Sequence, residues 1–288
     1  ARLRRIKQIR DRNPILRHAI PGWHIEGPFL SPEPGFCGAH SPERMSDPTP
    51  ERMRELREAA GNQPVMLTLA PERNGSIESI ATAVSLGIVI SLGHTNASAE
   101  TLNAAVKAGA RSFTHLGNGC PQQLDRHDNI LWRVFETPGL TAGLIPDRIH
   151  VSAPAFRLIH RQIGAPNIWH TTDAVSPAGA PPGEYMIGQL RVYVGPDQVV
   201  RQPGRTNFAG SALRPIDGIM RAAKMLGVSW RDVWNCSSLV PRKMFGLHSV
   251  LAPEREATFC VIETNADGQI SGGTSYSQGR ATKIDACG

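Results

Sequence analysis

Four ionisable side chains stand at, or just after, short apolar runs of the sequence that are typical of β-strands. They are Glu26, His94, His115 and Asp173. One carboxylate and two imidazoles form a known ligand set for zinc, and this set leaves a further position for water or substrate. A cation held in this way lowers the pKa of water, and Asp173 would then serve as general base and acid. The four residues together indicate a metal-dependent hydrolase.

These side chains can meet if the strands before them run parallel in one sheet. Between about residues 19 and 173 short apolar runs alternate with helical stretches, which predicts βαβ units and a parallel sheet. The predicted strands cover residues 22–26, 64–70, 88–92, 111–114, 140–145 and 167–172. The predicted helices cover residues 49–60, 76–86, 98–108, 130–136 and 153–163. In a parallel barrel all strands point their carboxyl ends to one face. A barrel and an open doubly wound sheet both fit this pattern.

The regular alternation of predicted strands and helices ends after Asp173. Residues 185–210 contain short strand-like runs between glycine turns, and two or three helices are predicted between Pro215 and Phe245. Residues 257–263 predict a strand, followed by Gly- and Ser-rich coil. This part of the chain therefore differs from the βαβ units before it.

Each candidate residue also has a structural interpretation. A single histidine after a strand is more often a hydrogen-bonded core or loop residue than a metal ligand. Glu26 is also compatible with a buried, paired carboxylate, and Asp173 with a helix cap or a turn. The coincidence of four such residues favours the metal hydrolase, although spacing alone does not identify its substrate.

The positive charge is concentrated at the start of the chain. The 31 basic residues exceed the 25 acidic ones by six, and residues 1–17 hold seven basic residues against Asp11 alone. A basic segment can bind nucleic acid. However, Leu3, Ile6 and Ile9 recur every three residues with charges between them, and no aromatic residues are interleaved for base stacking. We therefore predict a helix with a solvated, charged face and no nucleic-acid partner.

The cysteines and the hydropathy pattern indicate the cellular compartment in which the protein is expected. Five cysteines are widely spaced with no Cys-x-x-Cys pair, which argues against a disulfide framework and a cysteine zinc site. No run of about 18 apolar residues occurs, and the charged start is unlike a secretory leader. We expect a cytoplasmic protein in a reducing compartment, with no membrane partner.

Six short motifs occur in a defined order along the chain. They are His24-Ile-Glu-Gly-Pro-Phe-Leu30, Gly38-Ala-His40, Leu92-Gly-His-Thr-Asn-Ala97, Thr114-His-Leu-Gly-Asn118, Ile149-His-Val151, and Thr172-Asp-Ala174 followed by Ser176-Pro-Ala-Gly179. In this combination they resemble the N-acetylglucosamine-6-phosphate deacetylase family of the amidohydrolase superfamily. The resemblance covers about residues 20–225. The combination is much more specific than any one motif.

The resemblance implies a role for each matching residue. Glu26, His94 and His115 match the ligands of one divalent metal, for which zinc is expected and iron, manganese and cobalt are alternatives. Asp173 matches the catalytic acid and base. His40 matches the histidine that helps the metal polarise the acetyl carbonyl.

Four further residues match substrate contacts of the family. Asn118 and Gly119 match a segment that meets the substrate phosphate, and His150 matches a sugar-contacting histidine. Arg126, eleven residues after His115, matches an arginine that binds phosphate in the partner subunit's site. The alternative for Arg126 is a surface residue in a polar run.

The resemblance also implies a fold and an assembly. The family has a (β/α)8-type barrel, a small β-sandwich made from both chain ends, and a homodimeric assembly. Before Glu26 only a short basic helix stands where two βα units are expected. We predict an α/β, TIM-like barrel lacking its first two βα units over residues 1–245, with short strands about 183–210 inserted. We predict a small β-sandwich remnant over residues 246–288.

The implied reaction is hydrolysis of N-acetylglucosamine 6-phosphate to glucosamine 6-phosphate and acetate. Two alternatives stay open. One is a deacetylase of a different or unphosphorylated N-acetyl amino sugar. The other is a truncated, non-catalytic relative that only binds sugar or a partner. The joint presence of Glu26, His94, His115 and Asp173 argues against the second alternative.

Overall fold

A parallel sheet of six strands organises the chain, for which the computed structural model describes residues 2–204, 208–247, 257–277 and 279–285. Each strand pairs in parallel with the next one along the sequence. The strands are β1 (Trp23–Glu26), β2 (Val65–Leu69), β3 (Ile88–Leu92), β4 (Ser112–Phe113), β5 (Thr141–Leu144) and β6 (Ile168–His170). The sheet is a six-stranded half-barrel, which confirms the predicted partial TIM barrel.

Helices connect the strands at the positions that the sequence predicts. The helices are α1 (Arg2–Arg12), α2 (Pro14–Ala19), α3 (Pro50–Ala60), α4 (Ser76–Ser85), α5 (Ala99–Lys107), α6 (Ile130–Phe135), α7 (Ala153–Ile163), α8 (Pro215–Leu226), α9 (Trp230–Ser237) and α10 (Leu239–Met244). Helix α5 begins after Ser98, whose hydroxyl accepts the Thr101 N–H at 3.2 Å, so the predicted N-cap is confirmed. Three helices follow Arg214, as expected between Pro215 and Phe245.

The core lies between the parallel sheet and its helices. Every residue of β2 is buried, and Leu67, Ile90 and Leu144 are fully enclosed. Burial of such a side chain contributes about 1.5–3 kcal/mol to the free energy of unfolding. The strands are largely apolar on both faces, as is typical of a parallel sheet that is covered on both sides. Because this core holds each strand in place, it also determines the position of the residues that follow each strand.

Two small antiparallel sheets follow the half-barrel. The first contains β7 (Gly183–Ile187), β8 (Leu190–Val194) and β9 (Val200–Arg201), as the short strand-like runs predicted. The second contains β10 (Thr258–Thr264), β11 (Ile270–Ser277) and β12 (Arg280–Ile284). The predicted domain boundary near residue 245 stays a prediction.

The prediction of Gly- and Ser-rich coil after the tail strand is wrong, because residues 270–277 form the central strand β11. Gly273 lies opposite Ile262 in this sheet. A Cβ atom added at Gly273 would lie 2.5 Å from the Val261 carbonyl oxygen. Here glycine permits the two backbones to approach, which composition alone does not reveal.

Helix α1 forms as predicted, but its solvated face is not the predicted one. Ile6 and Ile9 are 51% and 53% exposed, whereas Arg10 is buried. The Arg10 guanidinium donates hydrogen bonds to the carbonyl oxygens of Ile20, at 2.6 Å, and Arg17, at 2.9 Å. These bonds and the Asp11 carboxylate, 2.7 Å from Arg10 Nη1, satisfy the guanidinium. The basic side chain rather than the two isoleucines therefore faces the protein.

The cysteine thiols and the lengths of the helices can be described for most of the chain. Within the described residues the four cysteines, Cys37, Cys120, Cys236 and Cys260, are free thiols, while Cys287 lies outside those residues. No helix in the described part of the chain is long and apolar enough to cross a membrane.

Candidate metal centre

Three side chains from separate strands bring their polar atoms together at the carboxyl edge of the sheet. Glu26 ends β1, and His94 and His115 each follow the end of their strand by two residues. The His115 Nε2 atom lies 3.0 Å from Glu26 Oε1, and the two Nε2 atoms lie 3.2 Å apart. His94 Nε2 lies 3.4 Å from the same Glu26 oxygen. The predicted convergence of the three residues is therefore present in the structure.

Three candidate site residues have a left-handed backbone conformation. The φ angles are 52° at His94, 34° at His115 and 48° at Asp173. Residues other than glycine adopt this conformation rarely, at a cost of about 1–3 kcal/mol. All three lie just beyond a strand end on the same edge of the sheet. Because such strain clusters at functional sites, this edge of the sheet is the candidate functional site.

The ring of His94 is held from two sides by loops. Its Nδ1 atom lies 2.7 Å from the carbonyl oxygen of Phe36. A carbonyl oxygen only accepts, so Nδ1 carries the proton and Nε2 of the neutral ring is free to act as a ligand. Cβ atoms added at Gly38 and Gly119 would lie 2.7 Å from His94 Cε1 and 3.0 Å from His94 Nδ1. These glycines therefore let both loops close on the imidazole.

The charges at the centre favour a cation. Burial lowers the pKa of His115, but the charge of Glu26, a hydrogen bond to it and the charge of Asp173 raise this pKa to about 9. Burial raises the pKa of Glu26, yet His115 and its neighbours hold it well below its ordinary value. The Nδ1 atom of His115 is buried with no hydrogen-bond partner among the described residues. The carboxylates of Glu26 and Asp173 therefore favour positive charge at this point, either as a proton on His115 or as a bound cation.

The donor atoms fit a divalent metal. A tetrahedral zinc ion with bonds of about 2.0–2.1 Å places its ligand atoms about 3.3 Å apart. The separations among the Glu26, His94 and His115 atoms are 3.0, 3.2 and 3.4 Å. His40 adds a further imidazole, with Nε2 3.2 Å from Glu26 Oε2. Glu26, His40 and His94 likewise present ligand atoms within 4.8 Å of one another, so this His/Glu cluster can hold a divalent cation.

Asp173 lies beside the cluster, three residues after β6. Its carboxylate charge contributes to the raised pKa of His115. Its amide N–H donates to Thr171 Oγ1 at 3.2 Å, and its carbonyl accepts the Ser211 N–H at 2.8 Å. Backbone hydrogen bonds on both sides thus hold Asp173 in place at this edge of the sheet.

The residues predicted to meet phosphate lie in the loop after β4. Gly119 packs against both His94 and His115. Asn118 bonds to the His115 carbonyl oxygen through its amide N–H, at 2.9 Å, and through its side-chain Nδ2, at 3.3 Å. The structure therefore places both residues next to the candidate metal ligands His94 and His115.

Two predicted substrate contacts are not gathered into the cluster. Arg126 is exposed, and its carbonyl oxygen accepts the Trp132 Nε1–H at 3.2 Å. Its guanidinium forms no ion pair with any residue the structure describes. His150 lies in the loop after β5, where its ring pairs with Asp147 and packs against Phe208 at 5.0 Å between centroids. Neither residue contacts Glu26, His94 or His115 within the described ranges.

A network of buried hydroxyl groups beneath the site was not predicted from the sequence. The Thr68 Oγ1 atom lies 2.8 Å from His24 Nε2 and 2.7 Å from Thr114 Oγ1. The Ser91 Oγ atom lies 2.6 Å from Thr114 Oγ1. Thr114 directly precedes His115. The sequence signal is a hydroxyl residue within the apolar runs of β2 and β3 and another directly after β4, and such residues are satisfied by tertiary neighbours.

Comparison with known proteins gives consistent relatives. No family model matches the chain. An N-acetylglucosamine-6-phosphate deacetylase from Danio rerio is 32% identical over 236 residues, which are 79% of this chain and 57% of the relative. An N-acetylgalactosamine-6-phosphate deacetylase from Shewanella sp. (strain ANA-3) is 32% identical over 223 residues, 77% of this chain and 55% of the relative. The chain thus spans a little more than half the length of these relatives.

A solved structure matches nearly the whole chain. It is an N-acetyl-D-glucosamine-6-phosphate deacetylase variant from Mycobacterium smegmatis in complex with N-acetyl-D-glucosamine-6-phosphate. The TM-score is 0.83 at 28% sequence identity, with 97% of this chain and 72% of that chain covered. The half-barrel and the small sheets therefore follow the arrangement of that protein.

Proposed function

We propose, from the premise that this chain belongs to the N-acetylglucosamine-6-phosphate deacetylase family of the amidohydrolase superfamily, that it hydrolyses the acetamide of N-acetylglucosamine 6-phosphate. The products are glucosamine 6-phosphate and acetate. The observation that carries the proposal is the triangle of Glu26, His94 and His115 ligand atoms, 3.0–3.4 Å on each side. This triangle lies beside Asp173 on the face where parallel barrels build active sites.

The assigned roles follow from what amide hydrolysis requires. An amide is a poor electrophile, so the reaction needs an activated water and stabilisation of the negative oxygen that forms. Glu26, His94 and His115 would hold the metal. When bound, the metal supplies a Lewis acid for the carbonyl and lowers the pKa of water. His40, beside Glu26, donates an N–H to the carbonyl oxygen as that oxygen gains charge.

Asp173 moves the proton. It takes one proton from the attacking water as the new C–O bond forms. It then gives that proton to the sugar nitrogen as the C–N bond breaks, so that the amine leaves protonated. The fixed backbone of Asp173, bonded to Thr171 and Ser211, suits a group that must reach both atoms in one turnover.

The proposal also assigns residues that bind the phosphate group of the substrate. A sugar phosphate carries a charge of about −2, for which backbone N–H groups and arginine are the usual partners. Asn118 and Gly119 lie against the metal ligands, and the exposed Arg126 is free to reach a neighbouring subunit. We therefore assign phosphate binding to these residues, with zinc as the metal and a homodimer as the assembly. The related Mycobacterium smegmatis protein binds N-acetyl-D-glucosamine-6-phosphate.

A second substrate is favoured by one specific observation. The Shewanella relative, as similar as the Danio rerio one at 32% identity, acts on N-acetylgalactosamine 6-phosphate. The two sugars differ in the orientation of one hydroxyl group. Acetamide hydrolysis needs the same metal and the same acid and base in both cases, so the residues assigned above serve either substrate.

The proposal is tested by measuring acetate release from purified protein supplied with zinc, iron, manganese or cobalt. The substrates are N-acetylglucosamine 6-phosphate, N-acetylgalactosamine 6-phosphate and unphosphorylated N-acetylglucosamine. We expect metal-dependent acetate release, with the highest kcat/KM on N-acetylglucosamine 6-phosphate. A preference for the galactosamine isomer would support the second substrate. No acetate from any of them at full metal loading would contradict the enzyme assignment.

A further inference from the structure

A buried, hydrogen-bonded pair of side chains lies in the loop that follows β5. The Nδ1 atom of His150 is 2.5 Å from Asp147 Oδ2, and the two side chains are 7% and 3% exposed. The other carboxylate oxygen, Oδ1, accepts the backbone N–H groups of Ile149 at 2.8 Å and His150 at 2.9 Å. Both oxygens of Asp147 are therefore committed as acceptors.

The carboxylate dictates which ring nitrogen of His150 carries the proton. Burial raises the pKa of Asp147, but the hydrogen bond from His150, the electrostatic interaction with that ring and the two backbone N–H groups hold this pKa below its ordinary value. An ionised carboxylate can only accept, so the proton between the two groups belongs to His150 Nδ1. In a neutral imidazole this leaves a lone pair on Nε2. Nε2 has no hydrogen-bond partner in the described part of the chain.

The pair stands between the segments that carry the proposed catalytic groups. Val151 follows it directly, and a Cβ atom added at Gly117, in the His115 loop, would lie 3.2 Å from Val151 Cγ2. The His150 ring packs on Phe208. Three residues later, Ser211 bonds to the Asp173 carbonyl at 2.8 Å. His150 therefore lies at the same end of the half-barrel as the candidate metal centre.

The backbone around the pair is held in place from α8. Arg221 donates to the Asp147 carbonyl oxygen at 3.2 Å. A Cβ atom added at Gly218 would lie 3.0 Å from Pro146 Cγ, so the helix packs directly on the loop. Arg148, between the paired residues, has φ 65°, a conformation that persists only when surrounding contacts impose it. Such support is expected around a side chain whose orientation matters.

We infer that Asp147 is a positioning residue that fixes His150 as the Nδ1–H tautomer, so that Nε2 accepts a hydrogen bond from a hydroxyl group of the sugar. This inference rests on the proposed function, because it assigns a substrate group to His150. A lone pair repels phosphate oxygens and attracts an O–H donor. The pair therefore selects a sugar hydroxyl, whereas phosphate is left to Asn118, Gly119 and Arg126.

Asp147→Asn tests this assignment because it reverses the tautomer with little change in shape. The two backbone N–H groups still require the amide oxygen at the Oδ1 position, which turns the Asn NH2 group toward His150 Nδ1. The ring must then accept at Nδ1 and carry its proton on Nε2. Nitrogen-15 NMR of the imidazoles should report Nδ1–H for His150 in the wild-type protein and Nε2–H in the variant. An Nε2–H tautomer in the wild-type protein would overturn the inference, whether or not the variant folds.

Kinetics provide the functional readout. We expect Asp147→Asn to lower kcat/KM by about 10–100-fold, mainly through KM, as loss of an orienting partner commonly does, with metal content unchanged. In a His150→Gln background the same substitution should add less than about 3-fold, because its effect passes through the ring. Equal losses in both backgrounds would refute the positioning role. Asp197→Asn is the matched control, since Asp197 also accepts a turn N–H, from Val199 at 3.1 Å, and should leave kcat/KM unchanged.

The two readouts separate this inference from the proposed function. If wild-type protein released no acetate, the proposed function would fail, while the NMR spectrum would still report the tautomer. If acetate is released and His150 is the Nε2–H tautomer, the proposed function stands and the role of Asp147 falls.

Discussion

The Nε2 atoms of His94 and His115 lie 3.2 Å apart although the residues are 21 positions apart in the chain. Both atoms also approach the same oxygen of Glu26, at 3.4 and 3.0 Å. His94 donates its Nδ1–H to the Phe36 carbonyl, so its Nε2 atom holds a lone pair. The polar atoms of the three groups therefore converge on one point, where a divalent cation would take the place of the proton on His115.

Gly38→Ala should weaken metal binding by displacing His94. The added Cβ atom would lie 2.7 Å from His94 Cε1, so the ring must move. We expect metal affinity to fall by about 10–100-fold, the usual effect of disturbing a ligand's support. Titration of metal-free protein with zinc measures this change.

Gly87→Ala separates this displacement from backbone strain. Gly87 has φ 72°, close to the 59° of Gly38, but a Cβ atom there meets nothing within 4 Å. Both variants should lose about 1–2 kcal/mol of unfolding free energy, and only Gly38→Ala should lose metal affinity. Equal zinc affinities would show that Gly38 does not control His94.

Asp173→Asn should abolish proton transfer while the metal remains. An amide cannot act as general base, so we expect kcat to fall by on the order of 10²-fold or more. Elemental analysis should find unchanged metal content. Asp285→Asn, at an exposed position after β12, is the control and should behave as wild type. Near-normal turnover by Asp173→Asn would reject its assigned role.

Arg126→Ala should discriminate between substrates. If the guanidinium binds phosphate, its loss weakens a charge-assisted contact and raises KM for N-acetylglucosamine 6-phosphate. Turnover of the unphosphorylated sugar should change little. Arg111→Ala, an exposed arginine at the amino end of β4, is the matched control. Equal losses on both sugars would show that Arg126 does not bind phosphate.

A mixture of Arg126→Ala and Asp173→Asn proteins tests whether Arg126 serves the partner subunit. In a mixed dimer one site would have an intact Asp173 and receive an intact Arg126 from the other chain. Activity above that of either variant alone is expected after the subunits exchange. Activity that does not rise on mixing would place Arg126 outside the partner's site.

Stability should fall in mild acid because of two buried histidines. Burial lowers the pKa of His160 to about 4, and burial together with the charge of His160 lowers the pKa of His170 to about 3. Their Nε2 atoms are buried without a hydrogen-bond partner among the described residues. Below an ordinary pKa of about 6.5 the unfolded chain takes up protons that the folded chain refuses. The free energy of unfolding therefore decreases as pH falls, by about 2 kcal/mol for each histidine at pH 5.

Denaturant unfolding at pH 7 and pH 5 measures this effect. His160→Phe keeps an aromatic ring against Phe156, 4.7 Å away, and removes one proton-binding group. Its loss of stability between the two pH values should be about 2 kcal/mol smaller than that of wild type. His127→Phe, at an exposed position, should keep the wild-type loss. An unchanged loss in His160→Phe would show that His160 is already protonated in the folded protein or titrates normally.

The sequence was most informative where structure depends on local rules. Helix α7 has the predicted bounds, with Ser152 capping the Ala155 N–H at 3.4 Å, because caps and helical periodicity are local signals. Glu26, His94 and His115 were predictable together because each follows a recognisable apolar strand. Parallel topology then brings such strand ends to one face.

The remaining features depend on contacts between distant segments. The burial of Arg10 follows from carbonyl groups of Arg17 and Ile20, which no periodicity of α1 encodes. The pairing of Asp147 with His150 is close in sequence, yet its importance depends on the segments around it. Composition marked residues 270–277 as coil because the strand partner of Gly273 is not visible in the sequence.

Metal content before and after one ligand is removed tests the central claim most directly. After purification without chelator and incubation with zinc, wild-type protein should retain about one metal ion per chain. Glu26→Gln should retain less than about 0.2 per chain, because a neutral amide replaces the ligand charge. Glu55→Gln, exposed on α3, should match wild type. A wild-type protein that holds less than about 0.2 metal per chain, or a Glu26→Gln variant that loads fully, would contradict the account.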